Sequence, residues 1–497
     1  MPGTVLCDID VNLPLSEPLR SALVANSSRL SPPKTPWLST AIHLAVLLLW
    51  VLLFAQAFRR SGLAAWSIGG AYIVYDTALL CFVGWQTSAL LRPMTAAPHQ
   101  AWADRRVGVG VIVAAHNEAT VLAATLDALF AQVEPADEIV VADDGSDDAT
   151  AALMRERYAI AQADLGVLSA PSRAWPSLRW LRLAHGGKAR ALNSAILQVH
   201  APVLLTVDAD TVLDAGAIAA VRRAFTVEPE LAGITGVISP VCQATVRGRI
   251  FEWFQTYEYM RNFLSRYAWM RLDSLLLISG AFAGFRRSSV VEVGGFDPAC
   301  LVEDYELIHR MRRYALRQGL TWRFRVLGDA HARTEAPGSV AAFLRQRRRW
   351  FGGFLQTQYW YRAMVGDARL GWLGMAMLPV KAIDTLQPLY GLTAFFLVVF
   401  YIATGRSSII APVAGLIAVK IAIDLGFHLW SVYLYRRWIG AGARANLCGA
   451  LLAALVEPFS FQLLRHSGAA LGWVSFLTGR RDWGAQDRFS LDDDDRA

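Results

Sequence analysis

Leu204-Leu205-Thr206-Val207-Asp208-Ala209-Asp210-Thr211 is an apolar run that stops on two carboxylates. A short, bounded run of this composition reads as a buried β-strand. Alternation along a strand sends the Asp208 and Asp210 side chains to one face. Two carboxylates side by side repel unless a cation lies between them. Oxygen donors with open positions suit Mg²⁺ or Mn²⁺, which also take substrate phosphates as ligands. The plainer alternative is a strand-end turn with Asp as a helix cap, since Thr211 and Asp214 follow.

On either side of this run, short apolar stretches alternate with helical periodicity. Residues 107–115, 138–142, 178–183 and 203–207 read as strands. Residues 118–132 and 147–158, and segments beginning at 188 and 214, read as helices. This alternation predicts an α/β domain with a mostly parallel sheet covered by helices on both faces. Such sheets bind ligands at the carboxyl ends of their strands. His116-Asn117-Glu118, Asp143-Asp144-Gly145 and Asp208-Ala209-Asp210 all fall there.

The chain has 497 residues, too many for one ordinary domain. It is 54% hydrophobic with a mean hydropathy of +0.33, and the apolar residues concentrate near both ends. Residues 41–58 and 64–90 are each long enough to cross a hydrocarbon core of ~30 Å. They predict a transmembrane hairpin over 39–90. Residues 387–404, 409–434 and 446–464 are further spans, the last interrupted by Glu457-Pro458. The run 370–380, broken by glycine and Pro379, reads as an interfacial helix, and 469–477 is too short to span alone. The expected order is a poorly ordered tail (1–38), the hairpin, a polar domain (105–355), interfacial and transmembrane helices (370–478), and a C-terminal tail (479–497). Arg436, Arg437 and Arg444 put their loop in the cytoplasm. The polar domain then faces the cytoplasm of a multi-pass inner or plasma membrane protein, with Arg59-Arg60 on the far side.

The net charge of +7 suits a partner of anionic lipid. No basic face interleaved with aromatics is present, so nucleic acid is excluded as a partner. The five cysteines are scattered without a pairing pattern, consistent with a reducing compartment. Residues 1–38 lack the order of a signal peptide.

Four more stretches carry chemistry. Gly186-Gly187-Lys188-Ala189-Arg190 opens a helix after a strand and resembles a phosphate-binding turn, with Lys188 as a point charge. It lacks P-loop spacing, which argues against a P-loop NTPase. Glu303-Asp304 begins a helical segment, either as dipole-favoured acids or as a general base for a hydroxyl. Ser279 to Phe285 offers small residues that let a substrate approach backbone. Gln346-Arg347-Arg348-Arg349-Trp350 lies just before the membrane. It is either a lipid-binding basic cluster or a grip on a leaving diphosphate, with Trp350 stacking on a sugar face.

In order, the chain contains VIVAAHNE, VVADDGS, GGKARALN, TVDADT, SGAFAGFRR with VGGFD, VED and QRRRW, over about residues 105–355. This series resembles membrane-embedded, processive family 2 glycosyltransferases, such as poly-N-acetylglucosamine, chitin-oligosaccharide, hyaluronan and cellulose synthases. The resemblance implies an α/β GT-A fold, Rossmann-like, inserted as a cytoplasmic domain between transmembrane α-helices. It implies an inverting transfer from a UDP-sugar to a growing β-linked polysaccharide, with coupling to export left open. In that scheme Asn117, Glu118 and Asp143 help bind the nucleoside, and Lys188 meets the diphosphate. Asp208 and Asp210 hold Mg²⁺ or Mn²⁺, and Asp304 is the base, with Glu303 beside the acceptor. Gln346, Arg349 and Trp350 close over donor and acceptor. His116 replaces a frequent tyrosine and Val302 a frequent threonine, which bears on specificity. Partners implied are a UDP-sugar, a glycan acceptor, the bilayer and possibly accessory subunits. Two other readings stay open: single-sugar transfer to a lipid or polyprenyl-phosphate acceptor, and a non-catalytic transporter or scaffold.

Overall fold

The computed structural model describes residues 15–92, 106–440 and 446–479. The expected C-terminal tail from residue 480 onward, Cys7 and Arg444 lie outside the described residues.

The segment expected as a loose tail contains a helix. Glu17–Asn26 (α1) starts on Pro18 and buries Leu19 and Leu23 completely. Three residues past its end, the Arg29 guanidinium forks onto both oxygens of Asp297, at 2.9 and 2.8 Å. Fork-to-fork pairing of this kind is among the stronger polar contacts, so residues 15–29 are fastened to the polar domain. Trp37–Arg59 (α2) follows. Leu48, Leu49 and Leu52 are half or more exposed on it, as expected of a surface made for lipid. After a 3₁₀ turn, Ser67–Thr87 (α3) returns and completes the hairpin.

The polar domain begins with Val109–Ala115 (β1), which is buried at every position but Ala114. A strand with no polar face needs cover on both sides, and the helices on either side supply it. Leu122–Phe130 (α4), Glu138–Asp143 (β2), Thr150–Glu156 (α5), Leu178–Arg182 (β3), Lys188–Ile196 (α6) and Val203–Asp208 (β4) come next. All lie within a few residues of the predicted elements. α4 starts four residues later than expected, because residues 119–121 form a separate turn in which the Val121 and Leu122 N–H groups both bond to the Glu118 carbonyl. Thr211–Leu213 (β5), Ala217–Val227 (α7), Leu231–Val241 (β6), Val246–Met270 (α8), Phe282–Arg286 (β7), Arg287–Val293 (α9), Glu303–Gln318 (α10) and Arg323–Glu335 (β8) complete the domain. The sheet order is β3-β2-β1-β4-β7-β6-β8-β5. The first four strands run parallel, β7 is antiparallel to both its neighbours, and β6 and β8 are again parallel. The sheet is therefore mixed, and its parallel half carries the predicted strand ends.

Val340–Trp360 (α11) is capped by the Ser339 hydroxyl, which accepts from the Ala342 N–H. Leu378–Ala403 (α12), Ser407–Ile439 (α13), Leu447–Val456 (α14) and Phe461–Thr478 (α15) follow. Among the described residues, four helical stretches are long and apolar enough to cross a membrane: Trp37–Arg59, Gly62–Leu91, Leu373–Ala403 and Ser408–Ile439. Two expectations change here. The run 370–380 is not a separate interfacial helix, because a π-helical turn at Leu373–Met377 leads straight into α12. The segments 446–464 and 469–477 belong to one broken pair, Leu447–Phe459 and Phe461–Thr478, bent by 51°. Pro458 cannot donate within the helix, and the bend falls there.

Glycine sets how α15 meets α11. A Cβ at Gly468 would lie 2.5 Å from the Arg347 Cβ, and one at Gly472 would lie 2.9 Å from the Gly352 N. Only hydrogen fits at such distances, so the two backbones run in close contact beside Gln346 to Trp350.

Candidate active site

Register explains why the acids gather. Ala115 pairs with Asp143 and Ala114 with Asp208, so β1, β2 and β4 end side by side. At the end of β2 the two neighbouring aspartates have different tasks. Asp143 accepts from the Ser146 N–H at 2.9 Å and from the Trp180 indole at 3.2 Å. Its two oxygens thus tie the turn after β2 to β3. Asp144 is buried and receives the Gly186 and Gly187 N–H groups, both at 2.8 Å. The two N–H groups of the glycine pair before Lys188 are therefore directed at the Asp144 carboxylate. The Asn117 Oδ1 likewise accepts from the Asp147 N–H at 2.8 Å and ties two loops together. Glu118 is buried at the start of α4, where its carbonyl accepts the Leu122 N–H.

His116 and His185, both exposed, stack above Asp144 with ring centroids 4.4 Å apart. The His116 Nδ1 lies 2.9 Å from the Asp144 carbonyl. A carbonyl can only accept, so this nitrogen carries the proton. His116, Asp144 and His185 offer ligand atoms within 4.8 Å of one another. The sequence reading passed over this group. The glycine pair 186–187 was its only signal, since two adjacent N–H groups need a nearby acceptor.

The second cluster centres on Lys188, the first residue of α6. Its ammonium contacts Asp208 at the end of β4 and lies 3.9 Å from Glu303 at the start of α10. Burial on its own would lower the Lys188 pKa. The nearby Asp208 and Glu303 charges outweigh that and raise it. Glu303 is raised chiefly by burial, against the pull of Lys188 and with the push of Asp304. Asp304 is held by backbone: its Oδ2 accepts the Gly280 N–H at 2.7 Å, and its Oδ1 the Tyr305 N–H at 2.8 Å. A Cβ at Gly280 would lie 3.0 Å from that same Oδ2. The small residues expected to admit substrate therefore also seat Asp304.

Asp210 is buried, with its Oδ1 3.4 Å from the hydroxyls of Thr211 and Thr334. Asp208, partly exposed at the end of β4, and Asp210, enclosed two residues on in the turn, both offer carboxylate oxygens. That chemistry fits a hard divalent ion which takes its remaining ligands from phosphate.

On α11, the Gln346 Oε1 is sealed from solvent and has no hydrogen-bond partner among the described residues. Arg349 acts electrostatically on Glu303. Trp350 has the Arg347 guanidinium over its ring at 4.4 Å, and Arg347 itself reaches Glu258 on α8 at 2.8 Å. Lys188, Asp208, Glu303, Asp304 and Arg349 thus meet in one place. Asn117 and Asp143 serve the loops beside it. Polar residues of the spans are partnered: Asp384 with Tyr75 (2.6 Å) and Lys381 (2.7 Å), Asp424 with Lys420, and Glu457 with Arg261 of α8 (2.5 Å).

A mixed sheet with acids at its parallel strand ends, a partly buried lysine beside them and two acids at a helix start fits the GT-A class of nucleotide-sugar domain. The fold is similar to that of a mannosyltransferase from Pyrobaculum calidifontis solved with GDP-Man and Mn²⁺. The two share a TM-score of 0.51 and 22% identity, over 80% of this chain and 99% of that one. Residues 110–294 match the family described as "Glycosyl transferase family 2", and residues 203–410 match "Glycosyl transferase family group 2". The chain therefore carries a family 2 glycosyltransferase domain. It is 25% identical over 255 residues to a poly-beta-1,6-N-acetyl-D-glucosamine synthase of Staphylococcus epidermidis, and 26% over 260 residues to that of Staphylococcus aureus strain COL. Each alignment covers 50% of this chain, and the chain spans about half the length of these relatives, 54% and 55%.

Proposed function

We propose that this protein transfers a sugar, with inversion, from a UDP-sugar to a growing β-linked polysaccharide at the cytoplasmic face of a membrane that it crosses several times. The observation that carries this reading is the Lys188 bridge. It joins the strand-end acid Asp208 to the helix start that holds the Glu303-Asp304 pair. A donor diphosphate and an acceptor hydroxyl need such groups within one sugar's width.

In this reading the acceptor hydroxyl lies against Asp304, whose two backbone hydrogen bonds hold the carboxylate in place. Asp304 removes the proton as the oxygen attacks the anomeric carbon from the side opposite the diphosphate. Lys188 and Arg349 offset the charge that grows on the leaving group, usually the largest single catalytic contribution. Asp208 and Asp210 would hold Mg²⁺ or Mn²⁺, which supplies Lewis-acid neutralisation of the diphosphate. Gln346 offers its unpartnered oxygen to donor or acceptor hydroxyls, and the partly buried Trp350 offers its indole to the acceptor sugar. The docking of α11 on α15 puts this acceptor end against the membrane helices, which supports delivery of the product into the bilayer.

Membranes containing the protein, incubated with each labelled UDP-sugar in turn, test the proposal. A ladder of products from one donor is expected. A single short product would instead mean transfer of one sugar to a lipid acceptor. No transfer from any nucleotide-sugar with Mg²⁺ or Mn²⁺ would overturn the enzymatic reading. In sealed vesicles, retention of all polymer on the donor side would contradict export.

A further inference from the structure

The fold pairs most of the arginines it buries near the site. Arg261 holds Glu457 at 2.5 Å, Arg310 holds Glu306 at 2.7 Å, and Arg347 holds Glu258 at 2.8 Å. Arg266, on α8, breaks the pattern. Its Nε and Nη1 are sealed from solvent and have no hydrogen-bond partner among the described residues. Its guanidinium rests on the Phe263 ring at 4.4 Å from the centroid. Burial lowers its pKa to about 10, and the negative charge of Asp304 acts the other way. A buried donor left without an acceptor is costly, and a buried cation without an anion more so. Such a group persists where a ligand completes it.

The position of Arg266 says which ligand. The donor side of Asp304 is already supplied by Lys188 from α6, at the ends of the parallel strands. Arg266 comes from a different direction. α8 packs against β6 and β8 and against the membrane helices α3, α13 and α14. Along the same helix Glu258 grips Arg347 of the Gln346–Trp350 stretch, and Arg261 grips Glu457 at the break between α14 and α15. α8 is thus the element that links the catalytic base to the membrane side, where the acceptor enters. A guanidinium's flat fork matches an oxyanion better than a neutral hydroxyl.

Building on the glycosyltransferase reading above, we propose that Arg266 forms an acceptor subsite for an oxyanion, a carboxylate on the glycan or a phosphate on a lipid-linked acceptor, held beside Asp304. Arg266 would then set which acceptors are used, without touching the donor.

The test uses the full-length protein in nanodiscs. Binding is measured for UDP, a glucuronate-containing tetrasaccharide, a short polyprenyl phosphate and a neutral tetrasaccharide. Wild type is expected to prefer one anionic probe over the neutral one, and the probe that responds identifies the source of the oxyanion. Arg266→Gln should weaken that probe by roughly thirtyfold, as for other truncated buried charge pairs, while UDP binds as before. Without ligand, Arg266→Met should melt no lower than wild type, because it removes an uncompensated charge. Equal binding of the anionic probes by Arg266→Gln and wild type would overturn the subsite. So would loss of UDP affinity in that variant, or a clearly lower melting temperature for Arg266→Met. Failure of wild type to bind UDP would count against the glycosyltransferase reading instead.

Discussion

Lys188 is the residue on which the electrostatics of the site turn. It sits between Asp208 and Glu303, so Lys188→Ala leaves two acids without their shared cation. UDP affinity should fall, and the fold should lose about 1–3 kcal/mol. Calorimetry with UDP and thermal melts check the two effects, and unchanged UDP binding would remove Lys188 from the donor site. Glu303 makes a separate expectation about pH. Its carboxyl is raised in the folded protein, first by burial, so between its ordinary and its raised value the folded chain holds more protons than the unfolded one. Stability attributable to Glu303 therefore falls as pH rises through that window. Melts of wild type and Glu303→Gln over about pH 4 to 7 should coincide at the acid end and diverge above it, with the variant more stable. Divergence of the opposite sign would contradict the assignment. The acids at strand ends and helix starts were legible in the sequence because residue type and position agree. The division of labour between Asp143 and Asp144 was not. The residues are chemically identical neighbours, and only the approach of Gly186 and Gly187 decides which of them receives the turn.

At the scale of elements, apolar runs located β1 to β4 and the helices between them, since β1, β2 and β4 are apolar on both faces and β3 keeps Leu178, Trp180 and Leu181 buried between its arginines. β6 and β8 escaped it. Glycine and Pro240 interrupt β6, and arginines and glutamate mark β8, which pairs with it through register shifts. α1 escaped for a different reason: its ten residues are mixed in polarity, and its stability comes from docking and from the Arg29–Asp297 fork. The α11–α15 contact was invisible as well, because the closeness allowed by Gly468 and Gly472 is a property of two helices together. Gly472→Leu would force a side chain where a Cβ already lies 2.7 Å from the Phe351 Cβ. Overpacking of this kind costs about 1–3 kcal/mol. Polymer formation should drop strongly and UDP affinity much less, since Lys188 and Asp208 sit on α6 and β4 and only Arg349 of the donor groups sits on α11. Loss of both together would mean that α15 supports the whole domain rather than the acceptor end.

At the scale of the molecule, hydropathy found the hairpin before the polar domain and two of the spans after it. It could not distinguish a bent pair from a straight span, because a break is written in hydrogen bonds and not in apolarity. Charged residues of the spans pair within a helix, as Lys381 with Asp384, and across helices, as Asp76 with Lys420 at 2.7 Å, and the cross-helix pair ties α3 to α13. The base Asp304 is the centre of the proposed chemistry, and replacing it gives the most direct test. Turnover of a labelled UDP-sugar by the full-length protein should fall about 10²–10⁴-fold in Asp304→Asn, with UDP affinity close to that of wild type. Near-normal turnover in that variant would contradict the site described.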